Sequence, residues 1–228
     1  MPSYGTKYGS WFLPDDLKLN EKSIVVSAGV GEDMSFDLLV QHKFDCKIYL
    51  IDPTERAIKH FEEVKDFFEA GKSFTGNIQP DYLEVLEDIT PAFSQFVYIP
   101  VGLWTEKTTL KFYKQANPEY VSQTLIKGMY NAEYTKVPVD RLKNLMKEYK
   151  LQKIDVLKLD IEGAEIEVLE TLFQDGIFPK VLCVEFDLAL KGFDKYNKTE
   201  KIVQRLLYAG YKVVSNQNLN VVFVRQLA

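Results

Sequence analysis

The segment Lys153–Glu165, Lys-Ile-Asp-Val-Leu-Lys-Leu-Asp-Ile-Glu-Gly-Ala-Glu, constrains the fold more than any other stretch of the chain. Its nearly unbroken apolar run is what a parallel strand buried on both faces requires. It nevertheless carries Lys158 near its middle, ends in Asp160, and turns over Gly163 into an amphipathic helix. Alternate side chains of a strand share a face, so Lys158 and Asp160 point the same way. Burying either charge alone costs on the order of several kcal/mol, so the two must pair or open into a cleft. In open α/β sheets the cleft lies at the carboxyl ends of the strands, which is where Asp160, Glu162 and Glu165 fall. Glu162 and Glu165 also stand where a helix begins, a place the helix dipole favours for acids with no further task. Asp160 is the acid of the three read first as functional.

The rest of the chain supplies neighbours for that strand. Ser23–Ser27 reads as a buried strand running through Ala28 into the turn Gly29-Val30-Gly31-Glu32-Asp33, with a helix over Met34–Gln41. Lys47–Ile51 is a second strand, ending in Asp52-Pro53-Thr54. Ala57, Ile58, Phe61, Val64, Phe67 and Phe68 then recur at helical spacing up to Gly71. Pro80 and Pro91 bracket a short helix in a stretch of weak signals. Phe96–Trp104 reads as a third strand, with Pro100 marking a sheet edge or strand end. Thr108–Tyr113 alternates as a half-exposed strand, and the segment around Tyr120–Leu125 is expected to pair with it. Lys136–Val139 leads to Asp140 as a helix N-cap. Lys180–Asp187 is another buried strand with acids at its end, and Thr199 is placed to cap the following helix. Tyr211–Ser215 and Val221–Arg225 are close enough to require an antiparallel hairpin. Strands alternating with helices predict a doubly wound, mostly parallel sheet.

No repeat or linker divides the chain, and 228 residues suit one α/β domain over 1–228. A net charge of −5 argues against a broad polyanion-binding surface, so no nucleic-acid partner is expected. No apolar run reaches membrane-spanning length, and the two cysteines, Cys46 and Cys183, sit in strand-like sequence. A cytoplasmic location with reduced thiols is therefore expected. With His42 and His60 the only histidines, a Cys/His zinc cluster is not expected. Residues 1–22 form an aromatic N-terminal segment that should pack on the domain. Within it, Tyr4, Lys7, Tyr8 and Trp11 could serve either as core or as a lid over a cationic ligand.

The glycine turn offers backbone N–H groups and a helix N-terminus to a ligand. Asp52 follows Gly29 by roughly the ~20 residues expected of a carboxylate that accepts from ribose hydroxyls. A dinucleotide site needs a third glycine, where this chain has Met34. Glu32 and Asp33 beside the turn would also repel a pyrophosphate. The chain has no G-x-x-x-x-G-K-[ST] loop, which excludes P-loop nucleotide hydrolysis. An adenosine ligand bearing a sulfonium or ammonium, S-adenosylmethionine, fits better.

Taken together, Ser27-Ala28-Gly29-Val30-Gly31, the strand-terminal Asp52, and Lys158-Leu159-Asp160-Ile161-Glu162-Gly163-Ala164-Glu165 resemble the FkbM-type family of S-adenosylmethionine-dependent methyltransferases. The K-x-D-x-E-G-x-E run is the most specific part, and the resemblance extends from Ile24 to Asp187. It implies a Rossmann-like methyltransferase fold, a seven-stranded, mostly parallel sheet with helices on both faces and the last strand antiparallel. It also implies O-methylation of a hydroxyl on a sugar or small natural product. Ser27 departs from the family pattern, in which an acid often precedes the first glycine; Glu32 or Asp33 would then serve the methionine end. The expected cofactor contacts are Ala28, Gly29, Val30, Gly31, Glu32, Asp33, Asp52, Pro53, Thr54, Gly102 and Leu103. Asp160 is expected to orient or deprotonate the hydroxyl, assisted by Lys158, Glu162 and Glu165. Tyr4, Lys7, Tyr8, Trp11, Ser122 and Gln123 are expected near the small-molecule or glycan acceptor. Two alternatives stand beside this reading: a metal-assisted enzyme using Asp160 and Glu185 with Mg²⁺ or Ca²⁺, and a non-catalytic domain that binds an adenosine ligand.

Overall fold

The computed structural model describes residues 1–115, 123–127, 133–190, 192–194 and 196–226. The chain opens with two short strands, β1 (Ser3–Tyr4) and β2 (Trp11–Phe12), paired antiparallel. There follow β3 (Ile24–Ala28), α1 (Ser35–Phe44), β4 (Lys47–Ile51), α2 (Glu55–Ala70), α3 (Tyr82–Leu86) and β5 (Phe96–Ile99). A second group comprises β6 (Gly102–Leu103), β7 (Thr108–Lys114), β8 (Gln123–Thr124) and β9 (Tyr134–Asp140). The chain then continues through α4 (Leu142–Glu148), β10 (Val156–Leu159), α5 (Glu165–Asp175), β11 (Val181–Glu185), α6 (Asp187–Leu190), α7 (Lys198–Tyr208), β12 (Tyr211–Gln217) and β13 (Asn220–Arg225).

The main sheet has seven strands in the order β12-β13-β11-β10-β3-β4-β5. Its inner strands pair in parallel, and β13 runs against β11 and β12. The seven-stranded, mostly parallel sheet closed by an antiparallel hairpin is thus as the sequence predicts. Alternation divides its side chains between two cores. Val25, Ile48, Leu50, Val156 and Cys183 pack with α1, α2 and the N-terminal residues Tyr4, Trp11 and Leu13. Val26, Tyr49, Ile51, Leu157, Leu159 and Val184 pack under α4, α5 and α7. The order reverses between β3 and β10, so the carboxyl ends of these two strands flank the crevice where ligands of such sheets bind.

Three local expectations need correction. The expected single strand Phe96–Trp104 is divided at Pro100, which marks a strand end and a sheet edge as read from the sequence. β5 ends there, and Gly102–Leu103 joins a separate four-stranded sheet in the order β6-β9-β7-β8. Asp140 is the last residue of β9 rather than a helix cap; its Oδ1 accepts from the Arg141 N–H and Asn144 Nδ2, each at 2.7 Å. Thr199 lies inside α7, and Asp194 accepts from the Lys198 and Thr199 N–H groups at 2.7 and 3.0 Å. The predicted pairing around 120–125 exists at Gln123–Thr124, which lie opposite Lys114 and Tyr113. Among the described residues no helix is long and apolar enough to cross a membrane.

Candidate active site

A cavity of about 990 Å³ opens at the switch point. Its wall takes Gly29, Val30 and Gly31 from the turn after β3, Asp52, Pro53 and Thr54 from the end of β4, and Gly102 and Leu103 from β6. The wall also takes Lys158 from β10, Asp160 and Glu162 from the loop after it, and Glu185 and Asp187 from around the end of β11.

One glycine shapes the crevice. Gly29 has φ +80°, and a Cβ there would stand 1.6 Å from the Asp160 carbonyl oxygen. The turn and the acid loop therefore touch through backbone alone, and only glycine allows it. Lys158 completes the join, its Nζ donating to the Gly29 carbonyl at 2.7 Å and lying 3.5 Å from Asp160 Oδ2. Gly29→Ala is expected to cost at least about 1–3 kcal/mol from overpacking and positive-φ strain. A lowered denaturation midpoint would register this cost, and an unchanged midpoint would contradict the contact.

Asp52 holds the turn's shape. Its Oδ2 accepts from the Val30 and Gly31 N–H groups at 2.9 and 3.0 Å, and its Oδ1 accepts from the Thr54 N–H and Oγ1 at 2.9 and 2.6 Å. These four internal donors occupy the lone-pair directions that the sequence reading assigned to ribose.

Lys158 is a buried cation. Burial pushes its ammonium down, but Asp160, Asp37 and Glu185 more than offset this and hold it above its ordinary range. Asp37, on α1 and fully buried, is pushed up to about 6 by desolvation, with Lys158 opposing. Ser27 lies opposite Lys158 in the β3–β10 register but is fully buried and does not line the cavity. Glu185 sits well above the ordinary carboxylate range, raised first by burial and then by Asp160.

Several predicted site residues have other tasks. Glu165 is fully buried and absent from the wall; as the first residue of α5 it turns back, its Oε1 accepting from the Gly163 N–H at 2.8 Å. Ala28 is buried one residue behind the wall. Glu32 lines the cavity but is clamped by Arg56, with contacts of 2.5 and 2.9 Å, which cancels the charge expected to meet a sulfonium. Asp33, also on the wall, accepts from Thr6 Oγ1 at 2.5 Å and the Ser35 N–H at 2.9 Å. Glu162 stays on the wall, its backbone at φ +55° and its carbonyl accepting from Thr124 Oγ1. Ser122 lies outside the described residues, and Gln123 lines the cavity.

The N-terminal aromatics divide. Tyr4 packs in the core against Phe44, ring centroids 6.0 Å apart, away from the cavity. Lys7 is also off the wall, its N–H donating to Asp81 Oδ2 at 2.9 Å. Trp11, buried, and Tyr8, largely exposed at the mouth, both line the cavity. Tyr8 is pushed up to about 12, first by partial burial of its cavity side and then by Asp160, Glu162, Glu185 and Asp33. Thr6 pins the loop between β1 and β2: its N–H donates to Ser35 Oγ, and its hydroxyl donates to Asp33 and accepts from the Gly9 N–H. Thr6→Val is expected to cost about 1–3 kcal/mol in unpaired buried groups. It should also speed hydrogen exchange across residues 5–10, which in the wild type should be slow even without ligand. Exchange that slows only when ligand is added would mean the pins do not hold.

Sequence reasoning missed Asn77 and Gln79, from a stretch without periodic signal, and Phe112, whose alternation in β7 could have been extended to the cavity. It also missed Asn220, which pairs with Glu185 across β11 and β13.

The sheet order, the glycine turn and the acid loop after β10 define a Rossmann-like methyltransferase architecture. The family model described as the methyltransferase FkbM domain matches residues 16–213, and the chain belongs to that family. It is an S-adenosylmethionine-dependent methyltransferase. The chain is similar in structure to the Methanococcus jannaschii fibrillarin pre-rRNA processing protein at 10% identity and a TM-score of 0.44, covering 92% of this chain and 70% of that one. It is also similar to Aeropyrum pernix fibrillarin in complex with natively bound S-adenosyl-L-methionine (9%, TM-score 0.40, 92% and 69%). A third similar structure is a methyltransferase from Pyrococcus furiosus (12%, TM-score 0.41, 92% and 78%). The comparison with curated proteins finds no match.

Proposed function

We propose that the enzyme methylates a hydroxyl of a sugar or other small natural product. The observation that carries this is Asp160. It is partly exposed on the cavity wall, is paired with the buried Lys158, and stands where the turn after β3 meets the acid loop.

The residues present fit S-adenosylmethionine. The cavity is at the upper end of the ~300–1,000 Å³ usual for small-molecule sites, which leaves room for a nucleoside beside an acceptor. When bound, the cofactor supplies a methyl group on a positively charged sulfur. The Gly29–Gly31 turn and the Asp52–Thr54 end of β4 would hold its adenosine part. The Thr54 hydroxyl is the donor to Asp52 that a sugar hydroxyl would replace. Trp11 and Tyr8 would restrict water at the mouth. Asp160, 3.5 Å from the Lys158 ammonium, would accept the proton of the acceptor hydroxyl. Holding the reactants in line supplies about 7–11 kcal/mol, against about 10²–10⁴-fold from a general base, so placement carries most of the acceleration. The wall carboxylates outnumber Lys158, which disfavours a phosphate-rich acceptor and favours a neutral glycan or metabolite.

Mass-spectrometric screening of extracts incubated with enzyme and S-adenosylmethionine should reveal an O-methylated product. Methyl transfer only to nitrogen or carbon would overturn the hydroxyl assignment.

A further inference from the structure

We infer that Asp160, Glu185 and Asp187, with Asn220 beside them, form a binding site for a divalent cation of the Mg²⁺/Mn²⁺ class. Asp160 follows β10, Glu185 ends β11, and Asp187 opens α6. The parallel register sets Leu159 beside Val184, so Asp160 and Glu185 emerge side by side. One carboxylate oxygen from each of the three acids lies within 4.8 Å of the other two. Opposed oxygens across Mg²⁺ stand about 4.2 Å apart and across Ca²⁺ about 5 Å, twice the usual bond lengths. The three oxygens are thus close enough for side-chain rotation to bring them onto one shared cation.

Two further groups leave buried oxygens without a hydrogen-bond partner among the described residues. Glu165 is fully buried, and among the described residues its Oε2 has no hydrogen-bond partner, although its Oε1 is used by the Gly163 N–H. The charged groups that act on it most are Asp187 and then Asp160, so its buried carboxyl neighbours the cluster. On the cavity side, Asn220 Oδ1 is a buried acceptor also without a partner among the described residues, and Asn220 lies opposite Glu185 in the β11–β13 register. The nearby cation, Lys158, is shared with the Gly29 carbonyl and reaches Asp160 at 3.5 Å. Carboxylates outnumber this ammonium along the cavity wall, and a bound divalent cation is one way such a surplus of acids is balanced. Carboxylate and amide oxygens are the ligand types that hard divalent cations take. Any role in activating the acceptor hydroxyl rests on the function proposed above; the binding itself does not.

The test is titration of chelator-treated, full-length protein with Mn²⁺, following the signal of free Mn²⁺ by electron paramagnetic resonance, with competition by Mg²⁺. One Mn²⁺ per chain, displaced by Mg²⁺, is expected. Glu185→Gln and Asp187→Asn should each weaken binding by about tenfold or more. Circular dichroism checks the fold of each variant, and Glu185, on the cavity wall, decides the matter if Asp187→Asn does not fold. No Mn²⁺ binding by the wild type, or unchanged affinity in a folded Glu185→Gln variant, overturns the site. Calorimetry with S-adenosylhomocysteine on the same preparation separates the two proposals: cofactor binding without Mn²⁺ binding removes the metal site and leaves the methyltransferase reading standing.

Discussion

Asp160→Asn should lower turnover by about 10²–10⁴-fold, the range lost when a general base is removed, while S-adenosylhomocysteine affinity changes little. The carboxylate lies on the cavity wall, and its backbone N–H still donates to the Ala28 carbonyl at 3.1 Å, so the loop should keep its course. An amide keeps the shape and an acceptor oxygen but cannot take a proton. Lys158 would retain the Gly29 carbonyl and Asp37 as partners. Single-turnover kinetics together with calorimetry make the measurement. Normal turnover in the variant would remove Asp160 from the chemistry, and lost cofactor binding would recast it as a structural residue.

Asp52→Ala is expected to weaken S-adenosylhomocysteine binding by about 30- to 100-fold, corresponding to roughly 2–3 kcal/mol lost when hydrogen bonds to a charged group are removed. The effect has two sources. Any contact of the carboxylate with ribose disappears, and the Val30, Gly31 and Thr54 donors lose their shared acceptor. The turn would then no longer be held in the shape the ligand meets. Asp52→Asn, which keeps one acceptor oxygen, should fall between wild type and alanine. Wild-type affinity in the alanine variant would show that the turn holds its form without Asp52.

The frame of this molecule was readable because its signals are local or periodic. Val156–Leu159 is buried along its whole length and could be recognised as a strand covered on both faces. Gly29 and Asp52 mark strand ends that any parallel sheet directs toward its crevice. What escaped depends on where a side chain turns. Glu162 and Glu165 look equivalent in a D-x-E-G-x-E run, yet positive φ at Glu162 and Gly163 leaves the first on the wall and turns the second back to its own loop. Tyr4 and Tyr8 are similarly alike in sequence, but the β1–β2 hairpin buries one against α1 and leaves the other at the cavity mouth. Glu32 was read as a free anion because its partner, Arg56, lies on the next helix but one strand away. Asn77 and Gln79 come from irregular backbone, where periodicity has nothing to report.

The backbone contact between Gly29 and Asp160 has a consequence for engineering. The two segments it joins are far apart in the chain, as are Lys158 and Gly29, 129 residues apart, which the ammonium bridges. They behave as one part. A new acid loop grafted after β10 to change the acceptor must bring a carbonyl that fits the existing turn, and a new cofactor turn must leave the same gap. Libraries that vary either segment alone should lose most members to misfit, whereas libraries that vary both together, with glycine kept at position 29, should retain them.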